Sequence, residues 1–192
     1  AVVDRLGDGQ IAYTHMRDMG SEELNEFLKD MHTRTLGKKA IIIDLRYNNG
    51  GNVHNEVLEF LSQKAHYQWA YRDFPSNSHP NVTPGDIPII ALVNERSLSD
   101  AEVTSNGIQT LGLATIVGTE TYRWIIFTSG TTLLDGSYLR LPAWGCYSLD
   151  GKDLESTGVK PDIYVKNTFE DRLKGRDPQL ERAIEEALKR IK

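Results

Sequence analysis

The run Lys39-Ala40-Ile41-Ile42-Ile43-Asp44-Leu45 is apolar at successive positions rather than alternate ones. A strand with one wet face alternates, so a run without a polar side belongs in a sheet covered on both faces. Ile87-Pro88-Ile89-Ile90-Ala91-Leu92-Val93 has the same character, with Pro88 tolerable near the start of a strand. A further strand is expected over 10–16, and another over 114–117. Helical stripes separate these runs. Residues 21–33 carry Leu24, Phe27, Leu28 and Met31 on one face with Ser21 as the expected cap, and helices are also predicted over 53–62 and 100–111. Strands alternating with helices imply a parallel sheet built from βαβ crossovers, an α/β fold.

Residues 66–72 read as one more strand and 73–86, with Pro75, Pro80 and Pro84, as a loop. After Gly118 the pattern changes to short strands over 125–127, 131–134 and 138–141. The last two are joined at Asp135-Gly136, a dipeptide that favours tight hairpin turns. Residues 178–192 place Leu180, Ala183, Ile184, Ala187, Leu188 and Ile191 on one helical face, with Asp177 as cap. That stripe suits core packing or an interface.

At 192 residues the chain is expected to be a single domain, 1–192, long enough for a full core. With 39% hydrophobic and 26% charged residues it reads as globular. A net charge of −5 and the absence of long basic runs give no footprint for nucleic acid. No apolar stretch reaches the length of a membrane span. The single Cys146 has no partner for an internal disulfide, so the compartment is left open, and the start at Ala1 reads as a cut end.

Several segments are candidates for chemistry. Gly50-Gly51 follows the most apolar strand, where α/β sheets present free loop amides to ligands, although a plain turn uses glycine too. Ser97 and Ser99 lie where a strand gives way to a helix, beside the free N–H groups of a helix start. Read locally, Ser97 is a helix cap and Ser99 a first-turn residue. Of the five histidines, His32, His54, His66 and His79 lack ligand-like spacing to one another and to Cys146, so a zinc site is not expected. His15, beside Thr14 at the end of the first strand, is structural unless a nucleophile and an orienting carboxylate reach it. Glu155 and Asp162 fall in a glycine-containing loop, Asn81-Val82-Thr83 matches a glycosylation acceptor pattern, and no phosphate-binding glycine motif occurs.

Four segments, in order, resemble the tail-specific (C-terminal processing) serine peptidases, and within them the tricorn-like branch. They are Ile11-Ala12-Tyr13-Thr14-His15-Met16 with Asp18-Met19, Ile42-Ile43-Asp44-Leu45-Arg46-Tyr47-Asn48-Asn49-Gly50-Gly51, Ser97-Leu98-Ser99-Asp100-Ala101-Glu102, and Glu155-Ser156-Thr157-Gly158-Val159-Lys160-Pro161-Asp162. The resemblance implies a crotonase-like (ClpP/crotonase-type) superhelical βαβ core with added β-hairpins, carrying a peptidase catalytic core without the PDZ and propeller domains of relatives. The processing branch uses a serine and a lysine, but Trp124 stands where that lysine would be. The tricorn-like branch implies Ser99 as nucleophile, His15 as general base, and Glu155 orienting the histidine through Thr14. It further implies an oxyanion hole from the N–H groups of Asp100 and of Gly50 or Gly51, with either glycine open. Ser97 keeps the role of helix cap. Arg123 and Trp124, bulkier than the family pattern, are expected to line the substrate groove, with Arg123 a cation for an acidic or carboxylate-ending peptide. No metal or organic cofactor is implied. The implied partners are peptide or unfolded protein segments, cleaved as by an endopeptidase, and copies of the chain in a homo-oligomer. A peptide-binding module on the same fold, catalytically weak or inactive, is the alternative. A crotonase-type acyl-CoA enzyme has no residue in its favour.

Overall fold

A computed structural model describes residues 2–82 and 84–191. Thr83 of the glycosylation pattern lies outside the described residues. The elements are α1 (Val2–Leu6), β1 (Ile11–His15), α2 (Ser21–Thr33), β2 (Ala40–Asp44), α3 (His54–Leu61), β3 (Tyr67–Trp69), β4 (Asn77–His79), β5 (Ile89–Val93), α4 (Asp100–Thr110), β6 (Thr115–Gly118), β7 (Ile126–Thr132), β8 (Tyr138–Gly145), α5 (Leu154–Thr157), β9 (Ile163–Tyr164), α6 (Phe169–Leu173) and α7 (Pro178–Arg190).

Five parallel strands form the central sheet in the order β1-β2-β5-β6-β9, so each new strand is added on the same side of the last. Alternation along the strands divides the core in two. Ala12, Ile41, Ile43, Ala91 and Val93 face α2, α3 and α4, meeting Phe27, Val57 and Ile108. Ile11, Ile42, Ile90, Leu92 and Val117 face the opposite way, onto Val3 of α1 and onto Ala183, Ile184 and Ala187 of α7. β2 and β5 are buried at every position, as their unbroken apolar runs require. The C-terminal stripe is thus largely core packing. Asp177 caps α7 by accepting the Leu180 N–H.

The structure differs from expectation at several elements. The segment over 66–72 shortens to β3 and pairs antiparallel with β4, inside the stretch read as loop, to make a hairpin separate from the main sheet. The strands expected over 125–127 and 131–134 are one strand, β7, with a register shift between Phe127 and Thr128. β7 and β8 form a second hairpin whose turn at Asp135-Gly136 is as anticipated; Gly136 has φ 83°. Helix α2 is capped by Gly20 rather than Ser21, with the Gly20 N–H held by Asp18 Oδ1. The two-residue edge strand β9 gave no periodic signal at all.

The turn after β2 is fixed from below by a buried ion network. Arg46 donates from Nε and Nη2 to the two Asp44 carboxylate oxygens and from Nη1 to Asp177 Oδ1, and the Tyr13 hydroxyl donates to Asp44 Oδ2. Burial and the neighbouring Asp44 charge push the Tyr13 hydroxyl far above its usual value.

Candidate functional site

Ser99 is the N-cap of α4, with φ 56° and ψ −120°. A non-glycine residue in that region is strained by roughly 1–3 kcal/mol and persists only when its surroundings impose it. Here the restraints are explicit. The Ser99 N–H donates to Trp124 O at 3.0 Å and to Glu102 Oε2 at 3.1 Å. Glu102 is fully buried and also accepts the Thr121 hydroxyl and the N–H groups of Arg123 and Trp124. Ser99 and Glu102 are spaced as in a capping box, a sequence signal that would have marked Ser99 rather than Ser97 as the helix cap. Ser97 does something else: its buried hydroxyl donates to Leu45 O and accepts the Asn94 N–H, tying the exits of β2 and β5 together.

The glycine turn after β2 lies against the serine. A Cβ placed on Gly50 would stand 2.6 Å from Ser99 Cβ, and Gly50 has φ 81°, so both space and backbone demand glycine. The Gly50 N–H is taken by Asn48 Oδ1 at 2.8 Å. Among the described residues, the N–H groups of Gly51 and Asp100 have no acceptor. Both residues line, with Ser99, a cavity of about 260 Å³. A second cavity of about 240 Å³, bordered by Asn49, Leu98, Trp124 and Ile126, also borders Ser99.

Asp100 ties the two turns together. Its buried carboxylate accepts the N–H groups of Val53 and His54 and lies 2.5 Å from His54 Nδ1. Neither His54 nor Glu102 carried an assigned role in the sequence.

Of the other expected residues, Thr14 and His15 lie on β1 and Glu155 on α5. His15 Nε2 lies 3.1 Å from Arg46 O. β2 lies between β1 and β5 in the sheet. Thr14 points to the opposite face and donates to Asp30 Oδ2. Glu155 is exposed on α5; its carboxylate has no partner among the described residues, and it borders neither cavity beside Ser99. Among the described residues, no hydrogen bond joins His15 to Ser99 or Glu155 to Thr14. The alternation of β1 sends Thr14 and His15 to different faces. The Arg123 guanidinium is paired with Glu120 at 2.6 Å and borders neither cavity, whereas Trp124 borders the second one.

Other chemistry finds less support in the geometry. Burial, helped by the charges of Asp153 and Glu102, pushes the Cys146 thiol up, which disfavours the thiolate. Among the described residues, no group of three or more His, Cys, Asp or Glu is placed to hold a metal ion, and no helix is long and apolar enough to cross a membrane.

The chain is similar to known peptidases. The model of peptidase family S41 matches residues 9–165. The chain is 32% identical over 193 residues to the tricorn protease of Thermoplasma acidophilum, covering 99% of this chain and 18% of that protein. It is 26% identical to the carboxy-terminal-processing protease of Bartonella bacilliformis, covering 90% of this chain and 43% of that protein. The crystal structure of the tricorn protease superposes with a TM-score of 0.90 at 30% identity, over 99% of this chain and 19% of the other. The chain thus spans about one fifth of the length of its tricorn relatives.

Proposed function

Starting from the fact that the chain belongs to peptidase family S41, we propose that it is the nucleophile-bearing core of a serine peptidase and that Ser99 attacks the peptide carbonyl. The observation that carries this reading is the strained Ser99 backbone beside two unengaged amides. Attack on a carbonyl turns its oxygen into an oxyanion, and donors already aimed at that position stabilise it without reorganisation. Gly51 and Asp100 are the assigned donors, since the Gly50 N–H is committed to Asn48. The positive end of α4 adds to their effect. Trp124 and the apolar rim around Ile126 hold the substrate chain.

His15 is the proposed acceptor of the Ser99 proton; its Nε2 lies 3.1 Å from Arg46 O, at the start of the segment that leads to the glycine turn. Glu155, whose carboxylate has no partner among the described residues, is proposed to orient the imidazole through Thr14. We also read the strand order, each strand added on one side, as the crotonase-type superhelix, and residues 1–192 as one catalytic core unit. The reading takes cleavage to be within chains, as by an endopeptidase, with the substrate lying along the two cavities that Ser99 borders.

A fluorophosphonate probe tests the reading. It should label Ser99 in a protein that carries this chain, and Ser99→Ala should abolish labelling. Persistent labelling in Ser99→Ala, or none in any assembly that contains the chain, would favour the peptide-binding module instead.

A further inference from the structure

The two cavities beside Ser99 share one charged wall residue, Arg140 of β8. Its Nε donates to Thr128 Oγ1 at 2.7 Å, a neutral partner, and its two terminal nitrogens have none among the described residues. The other charges near the nucleophile are already answered. Asp100 is saturated by Val53 and His54, Glu102 by four donors, and Arg123 is neutralised by Glu120. Arg140 is therefore the uncompensated charge of the groove. Its position matters as much as its sign: it borders both of the cavities that Ser99 borders. With Nε fixed by Thr128, the guanidinium presents Nη1 and Nη2 as a planar fork, which matches the two oxygens of a carboxylate.

We infer that Arg140 is a specificity-determining residue of this groove, selecting peptides with an aspartate or glutamate side chain next to the bond held at Ser99. The inference rests on the peptidase reading for the direction of the chain through the groove, but binding alone tests it. It moves the cation expected at Arg123 to a different element, the β7-β8 hairpin.

The test uses the Ser99→Ala form of the 192-residue chain, so a failure of catalysis does not enter. Fluorescein-labelled peptides with amidated C-termini, differing only by Glu or Gln on either side of a central bond, are titrated and followed by anisotropy. The Glu peptide should bind about tenfold more tightly, the usual scale of a charge-assisted hydrogen bond. Arg140→Gln should bring the ratio close to one, Arg140→Lys should keep part of it, and Arg140→Glu should turn the preference toward a Lys peptide. Thermal melts confirm that each variant is folded, and the Arg140→Lys ratio decides the matter if Arg140→Gln is not. Equal binding of the Glu and Gln peptides, no binding of either, a ratio unaffected at Arg140, or a requirement for a free C-terminal carboxylate in place of the acidic side chain would each overturn the assignment. Absence of probe labelling at Ser99 would count against the peptidase reading alone.

Discussion

Glu102 holds Ser99 in place: its Oε2 accepts the Ser99 N–H at 3.1 Å while the same carboxylate gathers the Thr121 hydroxyl and the amides of Arg123 and Trp124. One buried side chain thus imposes both the backbone of the serine and the path of the groove wall behind it. Glu102→Ala should leave those donors buried without an acceptor and lower the unfolding free energy by about 3–5 kcal/mol. Glu102→Gln keeps the shape but turns one acceptor into a donor, so about 2 kcal/mol is expected. Denaturant unfolding measures both. Loss of probe labelling at Ser99 should accompany Glu102→Gln while the fold persists; a Gln variant that labels at the wild-type rate would remove Glu102 from the positioning of the nucleophile.

Two glycines with nearly the same backbone separate strain from space. Gly50 has φ 81° and Gly136 φ 83°. A Cβ on Gly136 meets nothing within 4 Å, whereas one on Gly50 collides with Ser99. Gly136→Ala should cost about 1 kcal/mol, the backbone penalty alone. Gly50→Ala should cost more and displace the serine, seen as lost labelling. Equal losses of stability in the two variants would contradict the close approach.

Asp100 and His54 bridge the glycine turn and the serine turn. His54→Ala removes one of three donors from the Asp100 carboxylate, and a loss of about 1 kcal/mol is expected. Asp100→Ala removes the common acceptor and should cost about 2–4 kcal/mol, with a larger fall in labelling because both assigned oxyanion donors adjoin this bridge. The order of the two effects is the check: a His54 variant as damaged as the Asp100 variant would mean that the imidazole, not the carboxylate, carries the bridge.

Asp177 makes stability depend on acidity. Burial alone would raise its carboxyl, but Arg46, Asn167 and the Leu180 N–H outweigh burial and hold it below the ordinary value. A depressed folded value means that the added stability is complete above the unfolded value, near 3.9, and is lost as pH falls through the folded one. The advantage of wild type over Asp177→Asn should be flat from neutral pH to about pH 5 and shrink below about pH 4. Urea melts across that range measure it, and an advantage that stayed constant down to pH 2 would show that the carboxylate's charge is not its source.

The sheet was legible in the sequence because burial on both faces leaves a visible mark, an unbroken apolar run, in β2 and β5. The turn at Asp135-Gly136 and the Asp177 cap were legible because local backbone chemistry dictates those residue types. β9 was not, since a two-residue edge strand carries no period. In the site, Ser99, Asp100 and the glycine pair come from short contiguous segments whose geometry follows from strand-turn-helix order. The contact of His15 with Arg46 O was not legible, because sequence order does not reveal that β1 and β2 are neighbours in the sheet. Glu102 and Arg140 act through contacts across the fold: Glu102 reaches over to the 121–124 segment, and Arg140 meets the groove only once the β7-β8 hairpin folds back over it.

β2 and β5 pair in register from Ile41↔Ile89 to Asp44↔Leu92, and the glycine turn and the serine turn leave from those two neighbouring ends. The spacing between the nucleophile and the Gly51 amide is therefore inherited from main-chain bonding in the middle of the sheet. Loops usually loosen well before a domain unfolds, but this pair of turns can part only when the central strands part. The part of the groove wall on the exposed β7-β8 hairpin has no such anchor. Substrate choice can drift with changes in that hairpin while the reacting centre stays as it is.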